Sequence, residues 1–204
     1  MKFYALAAVA SLAMIGLLRQ RLRPIPHPPP LTFLFENPVA ETFVGRELLL
    51  ERADLAPGMR VLDAGCGPGR LTIPLASAVG PGGEVVALDG QPAMLAKLEG
   101  RLGESGVTNV RPLLSRLGEG DLAEGGFDRI LLPMVLGEVR DRRAALRELH
   151  SALAPGGVLS ITEVFGDPDY HRPATVRREA EEAGLRLTRR FGLFPAYTLN
   201  FEKV

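Results

Sequence analysis

The chain has 204 residues and carries 24 Lys+Arg against 24 Asp+Glu, a formal net charge of zero. Neutrality gives no electrostatic case for nucleic acid, and this length holds one sizeable α/β domain with an appendage but not two full domains. The single cysteine, Cys66, excludes an intramolecular disulfide and fits a reducing compartment, while three scattered histidines (His27, His150, His171) offer no metal-ligand spacing.

Between Lys2 and Arg19 no residue is charged, and apolar side chains fall on every face of a helical projection. A helix that is apolar all round belongs in lipid or in a deep core. About 16 residues at about 1.5 Å each span about 24 Å, short of a hydrocarbon core near 30 Å. Snorkelling of Lys2, Arg19, Arg21 and Arg23 would make up the difference. A cleaved signal peptide and a core or interfacial helix are the alternatives. The basic, proline-rich "RQRLRPIPHPPP" that follows has no small-residue cleavage site close behind the apolar run, which favours an uncleaved anchor over residues 1–23. Arg19, Arg21 and Arg23 outweigh Lys2, so the positive-inside rule puts the remainder of the chain on the cytoplasmic side. Residues 24–37 read as a proline-rich linker, either a semi-rigid polyproline spacer or a strap along the domain surface.

From residue 38 to 204 β-like apolar runs alternate with longer helical patterns, the signature of a sheet with crossover helices. Strands are expected at 60–64, 84–89, 109–114, 128–133, 157–163, 185–191 and 196–204, and helices at 38–53, 69–79, 92–103, 141–153 and 173–183. Asn37-Pro38 reads as a helix start, and "APGG" at 154–157 as a helix end. Only a few residues around "GLFPA" join the last two strands, too few for a crossover, so they should form an antiparallel hairpin at the sheet edge. The expected fold class is therefore α/β, a Rossmann-like, mostly parallel seven-stranded sheet with a C-terminal antiparallel hairpin, plus one N-terminal membrane helix.

"VLDAGCGPGR" sets a buried strand, an acid and alternating glycines where a helix begins, so backbone here is built to approach a ligand at Gly65 to Gly69. The dinucleotide pattern asks for a third glycine where Arg70 stands. Asp89, at the end of the second strand, is placed to accept both hydroxyls of a ribose. "EVFGDPDYHRP", after the fifth strand, gathers Glu163, Asp167, Asp169, Tyr170 and His171 on the edge where ligands bind in open α/β sheets. From it Tyr170 and His171 are nominated as acceptor contacts, with His171 as base. The same stretch also reads as a turn with an Asp-Pro cap leading into the next helix.

"VLDAGCGPG", "VVALDGQPAML", "FDRILLPMVLGEV" and "LHSALAPGGVLSITE", in that order, resemble the motif set of class I S-adenosylmethionine-dependent methyltransferases over residues 38–204. The likeness is to small membrane-associated or lipid- and quinone-directed members. The resemblance implies S-adenosyl-L-methionine as cofactor, with Asp63, Gly65, Cys66, Gly67 and Gly69 along its methionine portion. It also implies Asp89 on the ribose, Gly90 and Gln91 beside the adenine, and Leu132, Pro133 and Met134 facing the sulfonium and the acceptor. Two departures stand out. Ser115 and Arg116 occupy the place where family members carry an acid for the adenine amino group, leaving Ser115 as the hydrogen-bonding substitute. Gly137 replaces a frequent histidine, leaving Glu138 as an alternative base. The implied activity is methyl transfer by in-line displacement, without a metal, to a hydrophobic small molecule or lipid reached from the membrane. The competing readings are a membrane-tethered, non-catalytic cofactor-binding scaffold or sensor and a nicotinamide-dependent reductase.

Overall fold

The structure, a computed structural model, describes residues 44–165 and 167–203. The anchor expected at 1–23, the linker at 24–37 and the start of the helix expected from residue 38 lie outside the described residues. Among the described residues no helix is long and apolar enough to cross a membrane.

In chain order the elements are α1 (Arg46–Ala53), β1 (Arg60–Ala64), α2 (Thr72–Val79), β2 (Glu84–Asp89), α3 (Pro92–Ser105), β3 (Val110–Leu114), β4 (Phe127–Pro133), a 3-10 turn (Leu136–Glu138), α4 (Arg142–Ala152), β5 (Leu153–Val164), α5 (Pro173–Glu182), β6 (Leu185–Phe191) and β7 (Ala196–Lys203). The strands form one sheet in the order β3-β2-β1-β4-β5-β7-β6. The pairs from β3 through to β5 are parallel, and β7 runs antiparallel to both β5 and β6. The expected C-terminal hairpin is therefore present, with β6 outermost. Composition explains which strand takes the edge: β7 buries Tyr197, Leu199 and Phe201, whereas β6 carries Arg186, Arg189 and Arg190 exposed.

Strand side chains alternate between two covered faces. Leu62, Val86, Leu88, Ile130 and Leu132 pack with Leu146 and Leu149 of α4 and Val176 and Ala180 of α5. On the other face Val61, Val85 and Leu131 meet Leu49 of α1 and Leu75 and Val79 of α2, while Ala87 meets Leu95 and Leu98 of α3. Local signals delimit the helices. Pro92 and Pro173 sit in the first turns of α3 and α5, where a missing N–H costs nothing, and Asp141 caps α4 by accepting the Ala144 N–H at 2.9 Å. The Arg129 guanidinium donates to Ala53 O at 2.8 Å, anchoring the end of α1 against β4.

α1 begins at Arg46, after Gly45, and two further boundaries differ from the sequence reading by more than two residues. α2 begins at Thr72 rather than residue 69, because Gly67 to Leu71 form a turn before the helix. β5 begins at Leu153, which pairs with Phe127, and the chain then bulges through "APGG" before Val158 resumes pairing with Arg129. Those glycines serve a bulge within the strand rather than a helix end, since α4 stops at Ala152 with Leu153 already extended.

β1 lies between β2 and β4, so the direction of strand succession reverses there, and a crevice opens beyond the carboxyl ends of β1 and β4. At the opposite edge Arg60 and Arg111 interleave with Glu84 and Glu124, Arg60 donating to Glu84 at 2.8 Å and to Glu124 at 2.9 Å.

Candidate active site

A cavity of about 420 Å³ occupies that crevice. Its floor is the β1 end and the turn after it. Gly65 has φ +77°, and a Cβ there would run into the Val135 side chain, so both conformation and space demand glycine. Gly65 and Cys66 both donate their N–H to Leu88 O, at 2.8 and 2.9 Å, tying the turn to β2. Gly67 donates to Asp89 Oδ2 at 2.9 Å, and Gln91 N–H reaches Asp89 Oδ1 at 2.8 Å. Asp89 is thus held in one orientation with lone pairs left over on both oxygens. Burial raises its pKa against the pull of those two N–H donors, and Glu138 across the cavity raises it further.

Asp63 also lines the cavity. Its Oδ2 accepts the Thr72 hydroxyl at 2.6 Å, and its Oδ1 is buried without a partner. Burial pushes its carboxyl up to about 6, opposed by the Thr72 hydrogen bond and helped by the neighbouring Asp89. An unpaired buried acceptor is costly and calls for a donor from a ligand. The Cys66 thiol is pushed up by burial and by Asp63 and Asp89, which keeps it protonated and inert.

Of the residues nominated from sequence, Asp63, Gly65, Cys66, Gly67, Asp89, Gly90, Gln91 and Pro133 line the cavity, and Met134 joins them. Three do not. Gly69, at φ +88°, faces the Leu98 side chain, so it allows α3 to pack closely rather than admitting a ligand. Leu132 is fully buried in the core on the α4 and α5 side. Ser115 is buried beneath the cavity with its hydroxyl unpaired, its N–H bonded to Asp89 O at 3.2 Å.

The structure does not bring Tyr170 and His171 to the cavity either. The Tyr170 ring stacks edge-on against Phe165 and Tyr197, with centroids 5.8 and 6.0 Å away. The His171 backbone is gripped on both sides, its N–H by Glu163 Oε2 at 3.3 Å and its carbonyl by the Tyr197 hydroxyl at 2.6 Å. Burial, and then Arg142, lowers the His171 pKa. This loop abuts the 3-10 turn so closely that a Cβ on Gly137 would collide with the Asp169 carbonyl. That contact explains why no larger side chain stands at 137. Glu138, one residue on, does line the cavity.

Sequence reasoning missed several lining residues. Leu49 arrives from α1, Met94 from α3, and Val135, Val139 and Arg140 from around the 3-10 turn. Arg116, passed over in favour of Ser115, lies along Gly90, where a Cβ would be 2.9 Å from its Cγ. Only Arg116 carried a local signal, its place next to the expected adenine contact.

A family model described as a methyltransferase domain matches residues 55–187. The chain belongs to that methyltransferase family. The resemblance to class I S-adenosylmethionine-dependent methyltransferases is borne out, and S-adenosylmethionine is the cofactor of this class. The chain is 34% identical over 118 residues to a demethylmenaquinone methyltransferase of Geobacillus kaustophilus (strain HTA426), covering 58% of this chain and 50% of that one. It is 34% identical over 122 residues to a ubiquinone/menaquinone biosynthesis C-methyltransferase of Shewanella sp. (strain W3-18-1), covering 59% and 48%. The matches thus span about half the length of these curated relatives. Among solved structures, a SAM-dependent methyltransferase from Aquifex aeolicus superposes with a TM-score of 0.79 over 87% of this chain and 100% of that one, at 24% identity, a likeness of fold.

Proposed function

We propose that this chain transfers a methyl group from S-adenosylmethionine to a hydrophobic small-molecule or lipid acceptor, held at the membrane by residues 1–23. The observation that carries the reading is the Asp89 carboxylate, fixed between the N–H groups of Gly67 and Gln91 on the wall of the cavity. This is the geometry a ribose needs, and it sits in a domain whose family is methyltransferase.

The residues fit the cofactor. Asp63 Oδ1, the unpaired acceptor, would take the ammonium of the methionine portion, and that positive charge would draw its carboxyl into the ionised form. Gly65 and Gly67 let backbone approach that portion. Gly90, Gln91 and Arg116 would flank the adenine, with Met94 packing on it.

When bound, S-adenosylmethionine supplies a methyl group on a sulfonium that an acceptor displaces in line. What remains for the protein is to hold the two reacting atoms in line about 3–3.5 Å apart and to exclude water. Pro133, Met134, Val135 and Val139 form the apolar wall that suits such an acceptor. Met134 holds φ +57°, a left-handed conformation that non-glycine residues adopt at a cost, and its N–H bonded to Thr162 O at 2.8 Å helps to keep it there. Asp63 and Asp89 are assigned to the cofactor, and of the other lining carboxylates, Glu119 and Glu138, it is Glu138, between Val135 and Val139 of the apolar wall, that would take a proton from an acceptor hydroxyl or ring position.

The quinone-directed names of the relatives, together with an apolar first segment, support a lipid-soluble acceptor and a membrane-tethered domain on the cytoplasmic side. Calorimetric titration of the detergent-solubilised full chain with S-adenosylmethionine, and separately with NADH, tests the reading. Micromolar binding of the first alone is expected. Well-folded protein that binds neither is not a cofactor-dependent enzyme, and binding of NADH alone would replace the methyltransferase by a reductase.

A further inference from the structure

Phe165, Leu193 and Phe194 are 58%, 73% and 73% exposed, unusual for side chains of this size. They form one patch. The Phe165 and Phe194 rings lie 5.1 Å apart, and Phe165 continues through Tyr170 to Tyr197. Leu193 and Phe194 are the tip of the β6–β7 hairpin, and Phe165 follows the last residue of β5. β5 and β6 point the same way as β1 and β4, so the tip projects from the sheet edge that holds the cavity. Two strand spacings, roughly 10 Å, separate β4 from β7 across that edge.

The strand that leads to the tip is cationic, while Asp167 and Asp169 stand behind Phe165 on the loop after β5. Between Glu182 and Glu202 the chain contains Arg186, Arg189 and Arg190 and no acid. Arg186 pairs with Glu202 at 2.9 Å, while Arg189 and Arg190 are exposed and make no ion pair among the described residues. The chain that precedes the described residues contains an uncharged apolar run between Lys2 and Arg19. Apolar residues at a loop tip flanked by arginines match a bilayer, whose anionic headgroups take the arginines and whose acyl boundary takes the rings.

We propose that the Leu193–Phe194 tip, with Phe165 behind it, inserts into an anionic lipid bilayer and turns the cavity edge of the domain toward the membrane. Resting on the membrane-tethered reading above, it adds a second contact that sets orientation. An acceptor dissolved in the bilayer would then reach the cavity without crossing bulk water.

The chain has no tryptophan, so one introduced residue reports alone. The full chain is prepared as Phe194→Trp and, independently, Leu193→Trp, and mixed with vesicles of phosphatidylethanolamine and phosphatidylglycerol whose acyl chains are brominated. Glu104→Trp, near the end of α3 at the opposite sheet edge, is the reference. Co-flotation with the vesicles, a blue shift and loss of emission at 193 and 194, and unchanged emission at 104 are expected. Co-flotation without quenching at the tip overturns tip insertion while the tether stands. A blue shift without quenching gives the patch to the chain's own first segment or to a second copy, and also overturns it. Failure to co-float overturns tether and tip together, whereas the cofactor titration is unaffected by any of these outcomes.

Discussion

Asp89 Oδ2 accepts the backbone N–H of Gly67 at 2.9 Å, so the end of the second strand holds the glycine turn at the end of the first. The same carboxylate accepts Gln91 N–H through its other oxygen, and one residue therefore organises both walls of the cavity. Asp89→Asn replaces one acceptor by a donor that must face an N–H. Hydrogen bonds to charged groups contribute about 1.5–3 kcal/mol, so affinity for S-adenosylmethionine should fall roughly tenfold to a hundredfold. Calorimetry on the variant checks this, with thermal melting to show that it remains folded.

Gly65 and Gly69 separate ligand approach from packing. Gly65→Ala must place a Cβ at φ +77° against Val135, inside the cavity wall, so both stability and cofactor affinity should drop, stability by about 1–3 kcal/mol. Gly69→Ala meets Leu98 instead and should lower the melting temperature while affinity, measured well below the melt, falls much less. Equal affinity losses in the two variants would return Gly69 to the binding turn.

Proton transfer is expected to depend on Glu138 and not on His171. Glu138→Gln should lower kcat with KM for the cofactor unchanged, and loss of a general base typically costs about 10²–10⁴-fold. His171→Ala, whose ring lies off the cavity, should leave kcat within a few-fold. Steady-state kinetics on an acceptor identified from membrane extracts decides between them. A large kcat loss for His171→Ala alone would bring the loop after β5 back into the chemistry.

Glu163 gives the fold a pH dependence of known sign. Burial first, then Asp167, pushes its carboxyl up to about 8, well above the ordinary 4.5. The folded state therefore favours the protonated form. Its full stability is present below about pH 4.5 and is lost as pH rises toward 8, while the unfolded chain ionises and the folded one does not. Glu163→Gln keeps an acceptor for the His171 N–H and removes the titration. The melting temperature of the variant should fall less than that of the parent chain across this range. Asp63, shifted in the same direction, is common to both proteins and cancels in the difference.

The periodicities that write the sheet and its helices were legible because both depend on local spacing. The short apolar runs of β1, β2 and β4, Pro92 and Pro173 in first turns, and the short link before β7 each act within a few residues. Asp63, Asp89 and the turn from Gly65 to Gly67 were legible for a related reason, since a ligand that needs bare backbone and a fixed carboxylate leaves a spacing behind. What stayed hidden was side-chain destination. Leu132 and Pro133 are neighbours in β4, yet one faces the core and the other the cavity, because successive side chains of a strand point to opposite faces and Pro133 is its last residue. Tyr170 and His171 sit on the loop after β5 that sequence pointed to, but Glu163 and Tyr197 hold that loop behind the 3-10 turn.

The sequence by itself determined an α/β domain with a cofactor turn after its first strand, because element type, caps and a glycine-acid spacing are written in residues close together along the chain. Tertiary structure alone decided which of those residues meet around one volume. Leu49, Met94, Arg116 and Glu138 converge on it from four separate segments, and the exposed Phe165 joins Leu193 and Phe194 in one patch. Such meetings depend on strand order and on packing across the sheet, which no local spacing encodes.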